Sequence, residues 1–405
     1  MDLQELIIIK EGKALLKVPN PEKYRRSDGV YEPSWAPVFY NPRQALNRDL
    51  SILALNVLAT LSGFSSLRVL DALAGSGVRA LRYYLEVPNV SLAIANDIDM
   101  EAFTVIKENI KLNNAEHAVK ACKLDANAFM YLWKSMGRTF EFIDIDPFGS
   151  PAPFVKSSLW CVRRNGAVGY TATDTAPLSG VKWVAGSRKY DVRLIKTDIP
   201  HEVGLRVLLG YICRRAAEID RFIEPLVTFA KHHYFRTIIH VRKGANKASE
   251  TIDKCLGYLM YCKKCYYRET VLINDIPRDS LCPFCGGRLV AVGPLWVCNM
   301  FHRDFLDRML SLIRSSEYEY LPTRQDSQEL LELLVMESQV NGLAYNVSSP
   351  ARIKKVNMPP TNAVIDCLRS RGLRASRTHI DGQLIRTNAS WADFVECVVS
   401  DYRSR

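Results

Sequence analysis

Strand and helix patterns alternate through the first part of this chain, and each strand pattern ends at a glycine turn or an aspartate. Leu67–Leu73 reads as a strand. Its last residues, Asp71-Ala72-Leu73, lead into the glycine turn Ala74-Gly75-Ser76-Gly77, which opens a helix to about Leu85. Ser91–Asn96 is a second strand closed by Asp97, and Glu101–Asn113 a second helix. Ala121–Leu124 ends in Asp125 and Ala126, and Phe140–Ile145 ends in Asp146. Parallel strands need long crossover connections, so this alternation predicts an α/β fold with an open, mostly parallel sheet. Ligands bind such sheets outside the carboxyl ends of the strands, where these residues fall.

The positions suit a nucleoside cofactor. Gly75 and Gly77 let the backbone approach a ligand beneath a helix N-terminus. Asp97 lies 20 residues after Gly77, the interval at which a carboxylate takes the two hydroxyls of a ribose. The third glycine of a dinucleotide fingerprint is replaced by Ala80, so a single nucleoside fits better than a diphosphate-bridged pair. Asp125 is placed to accept an adenine amino group. Asp146-Pro147-Phe148 follows a buried strand, with a carboxylate and carbonyls to accept an amine's hydrogens and a ring to stack on a flat base. Taken singly, each carboxylate reads as a solvated cap. In register, the four predict a Rossmann-like, class I domain dependent on S-adenosylmethionine.

Other features bound the reading. The formal net charge of +11 favours a polyanionic partner. No apolar run approaches the ~20 residues of a membrane span, and Leu6–Ile9 is too short for a signal peptide, so a cytoplasmic protein is expected. The 11 cysteines then imply reduced thiols and metal rather than a disulfide framework. Cys262-x-x-Cys265 and Cys282-x-x-Cys285, sixteen residues apart, have the spacing of a structural zinc ribbon. Cys255 and Cys298 fall outside that pattern and read as free thiols.

Residues 1–45 are expected to form an extension packed on the catalytic domain, 46–243 the methyltransferase domain, and 244–405 a C-terminal α+β domain. That last domain carries a zinc-ribbon-like module at about 258–300. Tyr24, Trp35, Phe39 and Tyr40 in the extension either clasp RNA or plug the sheet edge. His232 and His233 read as a turn between two antiparallel strands, and Trp391–Tyr402 as a final helix. Lys354, Lys355, Arg371, Arg374 and Arg377 form a phosphate-contacting face or a solvated helix end.

A set of motifs stands out, of which the Asp-Pro-Phe-Gly and Thr-Asp-Thr-Ala-Pro-Leu runs are specific. The set comprises Asn-Pro-Arg-x-x-Leu-Asn-Arg-Asp at 41–49, Asp-x-x-Ala-Gly-Ser-Gly-Val-Arg-x-Leu-Arg at 71–82, Asn-Asp at 96–97, Asp-Ile-Asp-Pro-Phe-Gly-Ser-Pro at 144–151 and Thr-Ala-Thr-Asp-Thr-Ala-Pro-Leu at 171–178. With Ala-Ser-Arg-Thr-His at 375–379, the chain resembles the tRNA (guanine-26) N2-dimethyltransferases of archaea and eukaryotes over nearly its whole length. The resemblance implies that Arg48 and Arg79 hold S-adenosylmethionine together with Asp97, Asp125 and Ala126, in the motif that opens at Asp71. It implies that Phe39 and Phe148 sandwich the target guanine, with Asp146 and Pro147 at its amino group, and that zinc sits on the four cysteines. The alternatives are another RNA guanine amino-methyltransferase with a different target position, and a non-catalytic RNA-binding protein. A nicotinamide oxidoreductase has no use for the Asp-Pro-Phe-Gly strand end.

Overall fold

The computed structural model describes residues 6–231, 233–277 and 280–400. His232, and Asp401 and Tyr402, where the sequence predicts the last helix to end, lie outside the described residues. The backbone divides into two compact units interleaved along the chain. The first comprises Met1–Thr171, Ile238–Arg242 and Asp307–Glu329, and the second Ala172–Thr237, Lys243–Leu306 and Leu330–Arg405. The chain passes from the first unit to the second between Arg242 and Lys243, near the boundary expected at 243/244, but the division does not follow a single cut. Residues 172–237, read as part of the catalytic domain, belong to the second unit.

A hairpin opens the first unit, β1 (Leu6–Glu11) and β2 (Ala14–Pro19), in register Glu11↔Ala14. Then follow α1 (Ala45–Leu61), β3 (Leu67–Asp71), α2 (Val78–Glu86), β4 (Val90–Asn96), α3 (Met100–Leu112), β5 (Val119–Cys122), α4 (Ala126–Ser135), β6 (Phe140–Ile145), α5 (Ala152–Cys161) and β7 (Val162–Ala172). The chain continues as α6 (Thr175–Leu178), α7 (Trp183–Tyr190), α8 (Pro200–Ala217), β8 (Arg221–Lys231) and β9 (Tyr234–Lys243). The large sheet has the order β5-β4-β3-β6-β7-β9-β8, and β5, β4, β3, β6 and β7 pair in parallel. β6 is buried at every position, as a central parallel strand covered on both faces requires. β3 has β4 on one side and β6 on the other. The strand order reverses there, and a crevice opens at the carboxyl edge at such a switch point.

The remaining elements are α9 (Ala245–Cys255), the strands β10 (Leu256–Cys262), β11 (Arg268–Leu272) and β12 (Leu289–Trp296), then α10 (Arg303–Arg314) and α11 (Arg324–Ser338). After them come β13 (Ala344–Asn346), α12 (Ser348–Lys354), α13 (Thr361–Ser370), β14 (Ala375–Arg377), β15 (Leu384–Thr387) and α14 (Trp391–Ser400). β10 pairs antiparallel with both β11 and β12, and β15 with both β13 and β14. The helices on the small β13-β15-β14 sheet enclose Val347, Leu368, Ile385 and Phe394, all buried.

The cysteine reading needs correction. Cys255 is bonded to Cys298 and Cys367 to Cys397. Spacing encodes metal knuckles but not which distant segments meet, so these pairs carried no sequence signal. The basic stretch is partly committed as well: Arg371 pairs with Glu396 at 2.8 Å and Arg377 donates to Asn362 at 2.8 Å. No helix among the described residues is long and apolar enough to cross a membrane.

Candidate active site

The turn after β3 depends on its glycines. Gly75 has φ +52° and Gly77 φ +79°, in the left-handed region. A Cβ on Gly75 would lie 2.8 Å from the Phe39 carbonyl oxygen, and one on Gly77 3.2 Å from Ile106. The Gly75 amide donates to Asp97 Oδ2 at 2.8 Å and the Asp99 amide to Oδ1 at 3.1 Å. Asp97 is thereby fixed at the end of β4 with lone pairs left over, since a carboxylate offers about four acceptor sites. Buried Asn96 donates to the carbonyls of Ala72 and Leu124, 3.0 Å each, tying neighbouring strand ends together. Asp125 is exposed and caps α4 through the Ala128 amide at 2.9 Å; Ala126, the first residue of that helix, is buried. Ile98 (63% exposed) and Leu124 (40%) sit beside Asp97 and Asp125 in sequence, apolar surface of the kind a flat purine covers.

A second cluster stands at the end of β6. Asp71 and Asp144 are paired in register on adjacent strands and both are buried. Arg79, from the first turn of α2, reaches Asp144 at 3.5 Å and donates to Asp146 Oδ2. The Tyr83 hydroxyl also donates to Asp144. Burial pushes the Asp71 carboxyl up to about 8; Arg79 opposes this, and the negative charges of Asp144, Asp146 and Asp97 add to it. Both Asp71 oxygens and the Ser76 hydroxyl are buried with no hydrogen-bond partner among the described residues. Orphaned polar atoms beneath the glycine turn fit a polar ligand in this crevice. Asp146 is half-buried, and Oδ1 has no partner among the described residues.

Pro147 is buried and Phe148 is 71% exposed. Phe148 meets Phe39 edge to face, with centroids 4.7 Å apart and planes at 83°. The two expected rings are brought together, but in contact with each other. A base stacked between them would need roughly 7 Å, twice the ring-stacking distance, so one ring must swing aside.

Sequence reasoning missed a hub. Glu11, at the end of β1 and 3% exposed, accepts from Arg48 (2.6 and 2.5 Å), Arg82 (2.9 Å) and the Tyr40 hydroxyl (2.8 Å). Burial alone would raise this carboxyl. The charge and hydrogen bonds of Arg48, with Arg82 and Tyr40, outweigh it and hold it down at about 2. Arg48 is thus turned to Glu11 and to the Asn41 carbonyl (3.1 Å), and Tyr40 is a buried part of the scaffold. Trp35, by contrast, is 58% exposed.

In the second unit, Cys262 ends β10, Cys265 lies in the turn beyond it, and Cys282 and Cys285 precede β12. Their sulfurs all lie within 4.8 Å of one another, with Cys262–Cys285 at 3.4 Å and Cys265–Cys282 at 3.3 Å. Tetrahedral zinc with bonds of ~2.3 Å asks for sulfurs about 3.8 Å apart, so the donor set fits. The Gly287 amide lowers the Cys285 thiol to about 7, while burial pushes the Cys265 and Cys282 thiols up, so a metal would have to displace their protons.

Comparison with known proteins gives a consistent picture. The profile described as N2,N2-dimethylguanosine tRNA methyltransferase matches residues 12–399. A tRNA (guanine(26)-N(2))-dimethyltransferase of Saccharolobus islandicus is 38% identical over 393 residues, covering 97% of this chain and 98% of its own. The protein of the same name from Metallosphaera sedula is 37% identical over 398 residues, covering 98% and 97%. The solved complex of Trm1 from Pyrococcus horikoshii with S-adenosyl-L-methionine superposes with a TM-score of 0.83 at 32% identity, over 97% of this chain and 100% of that one.

Proposed function

The chain belongs to the N2,N2-dimethylguanosine tRNA methyltransferase family, and from that premise we propose how its residues divide the work. The activity is tRNA (guanine(26)-N(2))-dimethylation: two methyl groups are transferred in turn to the exocyclic amino nitrogen of guanine 26. S-adenosylmethionine, when bound, supplies the electrophilic methyl. Gly75, Gly77, Asp97, Asp125 and Ala126 would line its site above Asp71. Asp97 would take the ribose hydroxyls and Ile98 and Leu124 the adenine faces.

The observation that carries the reading is Asp146, with Oδ2 on Arg79 and Oδ1 without a partner among the described residues, beside the Phe39–Phe148 pair. The guanine amine is a poor nucleophile because its lone pair is delocalised into the ring. Asp146 Oδ1 and the Pro147 carbonyl would accept its hydrogens, align it and favour tetrahedral nitrogen. Asp146 then takes the proton released as the nitrogen–carbon bond forms. The base must leave its stack, at a cost of a few kcal/mol, offset in part by stacking on Phe39 and Phe148. Arg79 acts as a positioning residue, fixing Asp146 by a charge-assisted bond. The four cysteines would hold a structural zinc ion, and we read the protein as cytoplasmic.

The test is incubation with S-adenosylmethionine and an unmodified tRNA transcript, then nucleoside mass spectrometry. Dimethylguanosine mapped to position 26 is expected. Methylguanosine elsewhere would overturn the target position while keeping the chemistry. Intact cofactor binding with no methylated guanosine would overturn the catalytic reading.

A further inference from the structure

The second unit contains a cavity of about 910 Å³ that the chemistry above does not use. Its walls come from α7, the segment after it, the first zinc knuckle and the start of α12, and none of its residues belongs to the reacting site. Four cations face it: Arg193, Lys196, Lys263 and Arg352, all exposed. None has a carboxylate partner among the described residues. Arg352 instead lies over the Tyr266 ring, 5.1 Å from its centroid, and donates to that ring's hydroxyl. The lining carboxylate, Asp198, is already held by Arg268 (2.7 and 2.8 Å), the Tyr261 hydroxyl (3.0 Å) and Ser349 (2.6 Å). It therefore has little capacity left to neutralise the wall. Trp183 adds a ring 55% exposed and without an aromatic partner among the described residues.

Clustered cations with no counter-charge repel one another and are stabilised by a polyanion. Cations lining a recess deep enough for a base, with an exposed indole at its mouth, form the combination that holds single-stranded nucleic acid. Phosphates go to Lys and Arg, and a base stacks on the ring. A double helix keeps its bases stacked and does not enter a recess, so the occupant has to be unpaired. We propose that this cavity binds an unpaired stretch of the substrate tRNA, with its phosphates on Arg193, Lys196, Lys263 and Arg352 and a base on Trp183. The proposal rests on tRNA being the substrate, not on the roles assigned at Asp146. Contacts made equally in the ground state and the transition state set KM and leave kcat, and the cavity's contacts are taken to be of that kind.

The experiment uses the full chain and the triple variant Arg193→Ala/Lys263→Ala/Arg352→Ala, with Trp183→Ala beside it. Calorimetric binding of S-adenosylmethionine, unchanged in both, shows that they fold. KM for tRNA should rise at least about tenfold in the triple variant with kcat kept. The slope of log affinity against log salt should fall by about 2, from three lost phosphate contacts at ~0.7 each. A single-stranded RNA pentanucleotide should bind wild type and lose that affinity in both variants. Pentanucleotide affinity equal in all three proteins, or an unchanged KM, overturns the proposal. So does adenosine monophosphate binding as tightly as the pentanucleotide, which would make the cavity a small-molecule site. The pentanucleotide arm needs no methyl transfer, so failure of the catalytic reading would be seen separately, as wild type that methylates nothing.

Discussion

Asp146 is tied to one proton transfer, so it can be tested alone. Asp146→Asn keeps the shape and leaves Arg79 paired with Asp144. It should lower methyl transfer about 10²–10⁴-fold, the usual worth of a general base, with S-adenosylmethionine binding unchanged by calorimetry. Near-normal turnover in that variant would remove Asp146 from the mechanism. The residues that assemble this corner were legible, because a carboxylate, a proline and a ring at a strand end form a contiguous pattern. Glu11 was not, since Arg48 and Arg82 lie 37 and 71 residues further along the chain. Its effect is nonetheless measurable by pH. The folded carboxyl sits at about 2 against 4.5 for the free group. A lowered folded pKa contributes stability that is present above 4.5 and lost as pH falls toward 2. Glu11→Gln should therefore destabilise at neutral pH, and the gap to wild type in urea unfolding should close by about 2 kcal/mol between pH 6 and pH 3. A gap that stays constant would mean that Glu11 is not held ionised by its arginines.

At the scale of elements, legibility followed local pattern. The parallel strands announced themselves by runs ending at a glycine turn or an aspartate, and the cysteine knuckles by spacing. The strands β10, β11 and β12 that carry the knuckles did not, because β10 is buried along nearly its whole length and lacks the alternation of a half-exposed strand. The disulfides were invisible for a related reason: Cys255 ends a helix, and its partner lies 43 residues away. If the four knuckle cysteines hold zinc, metal analysis should find one ion per chain. Stripping it with a thiol-reactive mercurial and chelator should lower Tm by roughly 10 °C or more, because structural zinc binding is folding free energy. Cys282→Ser should reproduce the loss. Protein purified without added metal that carries no zinc, and whose Tm ignores the chelator, would make the cluster a thiol core.

The whole molecule departs most from what the sequence suggested, and the departure has a physical origin. A composition shift at Lys243–Lys247 marks a place where the chain leaves one unit, but says nothing about its return at Asp307. That return matters to the first unit. The amide and hydroxyl of Thr323 both donate to the buried Asp49 Oδ2, at 2.8 and 2.6 Å, and Lys13 lies 4.6 Å from the centroid of the Tyr320 ring. Asp49 also pairs with Arg82 at 2.7 Å, so the segment 307–329 closes the same buried charge network that Glu11 anchors. Losing Thr323 strips two hydrogen bonds from a buried carboxylate that Arg82 alone would then hold, and a bond to a charged group is worth about 1.5–3 kcal/mol. A fragment ending at residue 243 has every cofactor residue named above, yet lacks Thr323 and Tyr320. It should therefore unfold roughly 3 kcal/mol more easily than the full chain in urea, two such bonds being lost, and bind S-adenosylmethionine weakly or not at all. Adding back only the segment 307–329, fused through a flexible linker, should restore binding. A 1–243 fragment that binds the cofactor as tightly as the full chain, with an unchanged urea midpoint, would show that the catalytic unit is complete without its return segment.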